Sequence, residues 1–328
     1  MAMTVDEIDV VAVGAGRAGL ATSHELTALG VAHEVFERAD VVARHVVVAS
    51  GGLRTAYRPS WAAEPRVPVV DASQYRNPES LPAGAVLVVG SGQTGCQLAE
   101  ELLTSGRRVV QACGRAPWMP RRIGGRDTFD CLADTGFMDQ RLDDIPAGPA
   151  ARFMANPQAT GRDGGHDLTT RTLQALGVEL AGHVAGIDGN SVVFADDLAD
   201  SVAFGDARWG DLCGAIRRWC GSVGRPVPEL PDAAPFDASQ ELHRMTLTGI
   251  GSILLTTGFR PSYRAWIDVP GAFDAMGFPV QVDGLSSVTP GLSFVGVPFM
   301  CRRSSQLLMG VGRDATLVAR GVRHHLAA

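Results

Sequence analysis

Two stretches of the chain carry the same rhythm of apolar and polar positions. Val10–Val13 is a continuous small-apolar run that breaks at Gly14, Gly16 and Gly19, after which Ala18, Ala21, Leu26 and Leu29 recur at helical spacing until Gly30. Val86–Val89 is followed in the same way by Gly90, Gly92 and Gly95, then by Leu98, Ala99, Leu102 and Leu103, and stops at Gly106. Residues Val10–Arg38 align without a gap on Val86–Gly114, 76 positions further on. A short strand, a G-x-G-x-x-G turn, a helix with one apolar stripe, a glycine stop and a second apolar run form the beginning of a βαβ unit. One such glycine motif is weak evidence; two in identical context are not a coincidence of composition.

Two further apolar runs end in small-small-Gly, Val46–Gly51 (VVVASG) and Ile253–Gly258 (ILLTTG). They bracket the second repeat, which suggests that the chain leaves one domain and later returns to it. The expected fold class is α/β with two Rossmann-like dinucleotide-binding domains, the second inserted in the first. Residues 1–80 and 250–328 make the first, and 81–249 the second. An elaboration at about 196–248 is marked by Pro226, Pro228, Pro231 and Pro235 and a helix near Trp209–Trp219, whose two tryptophans read as packing residues.

Composition removes several classes of function. The 328 residues are 45% hydrophobic, enough for two cores, and the net charge of −6 offers no surface for a nucleic-acid backbone. No run of about 18 apolar residues is present, and the first nine residues carry Asp6, Glu7 and Asp9 without a Lys or Arg, the wrong sign for an export signal. A cytoplasmic protein with no membrane partner is expected. Six cysteines lie far apart with no C-x-x-C pair, which argues against a dithiol reductase and for reduced, buried thiols. The histidines show no ligand spacing, no metal is expected, and the adjacent Asp143 and Asp144 point apart as a surface turn would have them. No catalytic acid, base or nucleophile is singled out.

The chemistry therefore rests on the glycine turns. Gly14 permits the tight turn, Gly16 lets the backbone approach a pyrophosphate, and Gly19 lets helix and strand pack closely. Glu37, with Arg38 beside it, ends the second strand where a carboxylate accepts hydrogen bonds from a ribose 2′-hydroxyl, so FAD or NAD fits and NADP is repelled. Gly90, Gly92 and Gly95, with Gln93 opening the helix, repeat the turn, but Cys113 stands where Glu37 does, followed by Gly114 and Arg115. A guanidinium at that strand end pairs with a 2′-phosphate and favours NADPH over NADH; Arg121 and Arg122 are near in sequence. Gly258, at the end of ILLTTG, lets backbone come close to a ligand or a crossing segment.

With these residues in place the chain resembles bacterial flavin-containing monooxygenase-like proteins. The resemblance covers nearly all of the chain, through DVVAVGAGRAGLA, ARHVVVASGG, SQYRNPESLPAGAVLVVGSGQTGCQLAEEL, GRAPWMPRRIGGRD, LLTTGFRP and PGLSFVGVPFMCRRSSQLLMGVGRDA. It implies the two-domain FAD/NAD(P)-binding fold of the pyridine-nucleotide-disulfide oxidoreductases. FAD would lie on Gly14, Gly16, Gly19 and Glu37, the stretch around Gly296 would close over the flavin, and NADPH would lie on Gly90–Gly95 and Arg115. The implied reaction is oxygenation of a nitrogen, sulfur or ketone centre of a small molecule with O2; a homodimer is compatible with the family.

The sequence departs from that pattern. Between the strand ending at Glu37 and VVVASG the family has a long block that supplies much of the flavin's wall, whereas here only Arg38–His45 intervene. The family's fingerprint histidine is replaced by Asp71 in DASQYRNP. Eight residues span at most about 26 to 29 Å, and a parallel crossover normally takes a dozen or more, so a rearranged first sheet or a different pairing of VVVASG is expected. Three outcomes stay open: a monooxygenase, an uncoupled NADPH oxidase, and a nucleotide-binding protein that no longer holds FAD productively.

Overall fold

The computed structural model describes residues 8–37, 43–63 and 66–328. The chain forms two compact units, each assembled from separated pieces: Met1–Thr55, Gly136–Arg152 and Phe259–Ala328 in one, Ala56–Thr135 and Phe153–Gly258 in the other.

The first unit is built on β1 (Ile8–Val13), α1 (Arg17–Ala28), β2 (Glu34–Phe36) and β3 (Ala43–Val48). β1 lies between β2 and β3, parallel to both. Residues Leu292–Phe294 run parallel on the far side of β3, and the short segments Leu285–Ser286 and Gln281–Val282 extend that edge antiparallel. Val10, Val11 and Ala12 are buried, because a parallel strand is covered on both faces. The apolar stripe of α1 buries Ala18 and Leu26, together with Thr22, against the long carboxy-terminal helix Leu308–Ala327, which offers Val311, Ala315, Val318 and Val322.

The short connection after Glu37 does not displace β3. Phe36 stands opposite Val13, at the carboxyl edge, and Ala43 opposite Ile8, at the amino edge. The chain must therefore travel about 17 Å along the strands and about 10 Å across two strand spacings, near 20 Å in all. Seven residue steps reach at most about 23 to 25 Å, so a connection of this length suffices. The short connection does not keep VVVASG out of the first sheet: β3 pairs with β1 in parallel, from Ala43 opposite Ile8 to Val48 opposite Val13. Residues 38–42 lie outside the described residues.

The second unit carries β4 (Val69–Asp71), β5 (Ala85–Val89), α2 (Gln93–Thr104), β6 (Val109–Ala112), β7 (Glu179–Ala181), α3 (Leu198–Val223) and β8 (Ile250–Leu255). Its sheet runs β7-β6-β5-β8-β4, all parallel. Alternate residues of β5 feed two cores. Leu87 and Val89 pack with Ile253, Leu255, Val192 and Phe194, the last two from an antiparallel three-stranded sheet. Val86 and Val88 pack with Cys96, Ala99 and Leu102 of α2 and with Leu198 and Val202 of α3.

The units divide the chain elsewhere than the sequence suggested. ILLTTG begins in β8, which holds in the second sheet the place that β3, the third strand of the chain, holds in the first, pairing with β5 as β3 pairs with β1: Leu255 opposes Val89, and Val48 opposes Val13. The two small-small-Gly strands thus extend the internal repeat instead of marking a return to the first domain. Residues 56–80 join the second unit through β4, and residues 136–152 join the first. The elaboration holds a helix of 26 residues, longer than the expected Trp209–Trp219. Trp209 is buried against Trp118, with ring centroids 5.4 Å apart, and its indole N–H donates to the Pro231 carbonyl.

Candidate nucleotide sites

At the carboxyl edge of the first sheet, Gly14 adopts φ +111°, a conformation that side-chain-bearing residues rarely take, and a Cβ there would meet the Ala49 carbonyl at 2.7 Å. A Cβ on Gly19 would run into the Gly14 carbonyl oxygen. A Cβ on Gly16 would meet nothing within 4 Å. Two glycines are thus required by the protein's own packing, and the third keeps a space open. Gly16 caps α1 with no side-chain hydrogen bond, and the first turn holds no acidic residue. The unpaired N–H groups and the positive helix end face that space, which suits an anion such as a pyrophosphate. Glu37 is exposed at the end of β2, and its carboxylate accepts a 2.9 Å hydrogen bond from the Ala15 N–H, so it sits at the lip of the same turn.

The second turn repeats this geometry. Gly90 has φ +116°, and a Cβ on it would stand 2.7 Å from the Thr256 carbonyl oxygen; Gly95 abuts the Gly90 carbonyl, and Gly92 has only the Ala155 methyl, at 3.9 Å. α2 also begins without a side-chain cap or an acidic first turn. The strand-end partner differs. In place of the carboxylate, the Ser91 hydroxyl donates to the Gly114 carbonyl at 2.8 Å and accepts from the Gly114 N–H at 3.0 Å. Burial raises the Cys113 thiol well above its ordinary pKa, so that position carries no negative charge.

The remaining residues singled out in the sequence separate into two groups. Arg115 is exposed beside the end of β6 and makes no hydrogen bond or ion pair among the described residues, leaving its whole fork available. Arg121 and Arg122 are committed elsewhere, Arg121 to Asp127 and Arg122 to the Gly164 and Gly165 carbonyls at 2.8 and 2.9 Å. Gln93 opens α2 and donates to the Ala159 carbonyl at 3.3 Å. Gly258 turns with φ +84° after β8. Gly296, φ +75°, follows Leu292–Phe294 and leaves room only for hydrogen against the Ala18 methyl of α1, so that turn presses on the first glycine loop. Arg38 lies outside the described residues. Asp71, in the fingerprint position, is held bidentately by Arg58 at 2.8 to 3.1 Å.

Sequence reasoning missed Thr256, whose hydroxyl donates to the Val89 carbonyl at 2.8 Å and underlies both Gly90 and Gly95. The alignment of VVVASG with ILLTTG was the signal that could have found it. All six cysteines are free and buried. Among the described residues no helix is long and apolar enough to cross a membrane. Asp196, Glu241 and His243 bring ligand atoms within 4.8 Å of one another, a cluster that spacing along the chain does not show, but two of the three are exposed.

No family model matches the chain. It is 26% identical over 308 residues to a CzcO-like oxidoreductase of Geobacillus kaustophilus, spanning 92% of this chain and 72% of that protein. A CzcO oxidoreductase of Bacillus subtilis is 24% identical over 285 residues, 86% of this chain and 66% of the relative, slightly under two thirds of its length. In fold, the flavin-containing monooxygenase of Stenotrophomonas maltophilia superposes with a TM-score of 0.59 at 13% identity, covering 97% of this chain and 99% of that one. The paired glycine turns on parallel sheets give the chain the fold of that flavin-containing monooxygenase, and in sequence it is similar to oxidoreductases of the CzcO kind.

Proposed function

We propose that the protein is an FAD- and NADPH-dependent oxidoreductase that oxygenates a nitrogen, sulfur or ketone centre of a small molecule, with FAD on the first unit and NADPH on the second. The observation that carries the reading is the pair of matched cradles with opposite strand ends. Glu37 offers a ribose its carboxylate in the first, and Arg115 offers an uncommitted guanidinium in the second. Bound FAD would supply hydride acceptance and oxygen chemistry, which needs few protein acids or bases. The chain's own part is to hold the pyrophosphates at Gly14–Gly19 and Gly90–Gly95, to discriminate the two riboses, and to keep water from the flavin.

The short connection between Glu37 and Ala43 favours a second reading, a nucleotide-binding protein without productive flavin chemistry. Absorbance between 350 and 500 nm after incubation with FAD, followed by NADPH consumption with peroxide and product measured together, separates them. Flavin uptake with product matching NADPH supports the proposal. Peroxide in its place makes the protein an oxidase, and no flavin uptake supports the second reading.

A further inference from the structure

Residues 136–152 belong to the first unit although the chain on both sides of them belongs to the second. Both ends of this segment are fastened within the first unit. At one end the Arg303 backbone N–H donates to the Gln140 carbonyl at 2.8 Å, and the Arg303 guanidinium donates twice to the Gln140 side-chain oxygen, at 2.8 and 3.1 Å. That guanidinium stacks over Phe137, 4.1 Å from the ring centroid, with Phe299 at 5.2 Å, while Asp139 receives Arg302 at 3.3 Å and Arg313 at 2.8 Å. At the other end Arg152, its side chain mostly buried, pairs with Asp274 at 3.1 Å and lies over the buried Phe278.

The anchors at Arg302 and Arg303 lie close in the chain to Gln306, which meets Arg17 at the first glycine turn. With Glu37 at the end of β2 and the candidate pyrophosphate cradle at the start of α1, FAD bound there would have its other half on the side of the cradle away from β2, at the exits of β3 and of Leu292–Phe294. Those exits are packed together: Gly14 lies against Ala49, Gly52 against Pro298, and Gly296 against Ala18. The Arg17 side chain reaches the Gln306 carbonyl at 2.5 Å, which brings residues 303–306 beside the cradle. The stretch 299–303 that holds the segment is therefore continuous with the turns that line this edge.

We propose that residues 136–152 are the wall over the flavin end of FAD, supplying through the half-buried Leu142 and Ile145 the cover that the short connection leaves out, with Arg303 as its keystone. The inference rests on the first unit being the FAD site. Burial lowers the Arg303 pKa to about 10, so the group stays charged at neutral pH.

The test measures FAD and ADP binding by calorimetry, and iodide quenching of flavin fluorescence, in wild type, Arg303→Ala and Phe137→Ala, with hydrogen exchange of 136–152 followed in wild type. The proposal expects the variants to lose about a hundredfold in FAD affinity, the scale of uncovering some 100 to 150 Å² of ring, with ADP affinity unchanged. It expects their flavin to be more open to iodide, and FAD but not ADP to slow exchange in 136–152 of the wild type. Variants that bind FAD as wild type does, variants that lose FAD and ADP equally, or exchange indifferent to FAD would overturn it. Wild type that binds ADP and no FAD would overturn the functional reading itself, and this inference with it.

Discussion

The two glycine turns are the same object with different polar partners. The Gly14 N–H donates to the Phe36 carbonyl and the Gly90 N–H to that of Ala112, both third-strand exits press on the first glycine, and both second glycines face open space. The loop residue that follows is tied to the second strand in both, but Ala15 is tied by the carboxylate of Glu37, and Ser91 by its own hydroxyl to Gly114. Moving the polar tie from the strand to the loop removes a negative charge from the second site and leaves Arg115 beside it. Backbone geometry is thus what the two turns share, a cradle suited to a diphosphate, and one side-chain exchange is what sets them apart.

The comparison breaks most severely at its shared part. A Cβ at position 19 or 95 collides with the carbonyl of the first glycine, which is backbone and cannot yield. Gly19→Val and Gly95→Val should each destabilise their own unit by about 3 kcal/mol or more, read as a lowered urea midpoint of that unit. A midpoint unchanged in either would mean that the turn tolerates a wider approach than its twin.

A second difference lies in the third strands. His45 on β3 is buried, its Nε2 3.1 Å from the Ser293 hydroxyl, and its ring meets His325 edge-on at 5.2 Å. Burial first, and the charge on His325 second, lower its pKa from 6.5 to about 4. The unfolded chain therefore takes up this proton first, so stability present above pH 6.5 is lost as the pH falls towards 4, by about 3 kcal/mol. Unfolding of wild type and His45→Gln between pH 7 and 4.5 checks it. The variant should lack that part of the slope, and parallel slopes would refute it.

Smaller effects sharpen the contrast in charge. Arg115→Ala should weaken NADPH by about 1 to 3 kcal/mol and leave NADH nearly unchanged, by calorimetry. Equal losses would give Arg115 a structural role. Arg122→Ala, whose guanidinium is spent on two carbonyls, should change the ratio of the two affinities by less than about 0.5 kcal/mol.

Much of this was legible in the sequence because the repeat is local. Strand, turn, helix and stop all fall within one short stretch of each copy, and each glycine has a steric reason that its spacing announces. Sheet membership was not legible in the same way. Ile253–Leu255 and Val46–Val48 are both short apolar runs, the first fully buried and the second buried at Val47 and Val48, and only pairing distinguishes return to the first sheet from completion of the second. The start of α3 was hidden by Asp200, Gly205 and Gly210, which blur its period; Gly205 is there because a Cβ would press on the Ala116 carbonyl at 2.9 Å. Residues 136–152 fold as short 3-10 turns, which have no apolar repeat to read, and are placed by arginines from far along the chain.

The central claim is that two like cradles hold two unlike nucleotides, and the second glycine of each is the lever, since a side chain there fills only ligand space. FAD and NADPH should be titrated separately into wild type, Gly16→Val and Gly92→Val, with unfolding midpoints as a control for folding. The account predicts a crossed result in folded proteins: Gly16→Val loses FAD by more than about a hundredfold and keeps NADPH, and Gly92→Val does the reverse. Either variant losing both nucleotides, or keeping both, would contradict it.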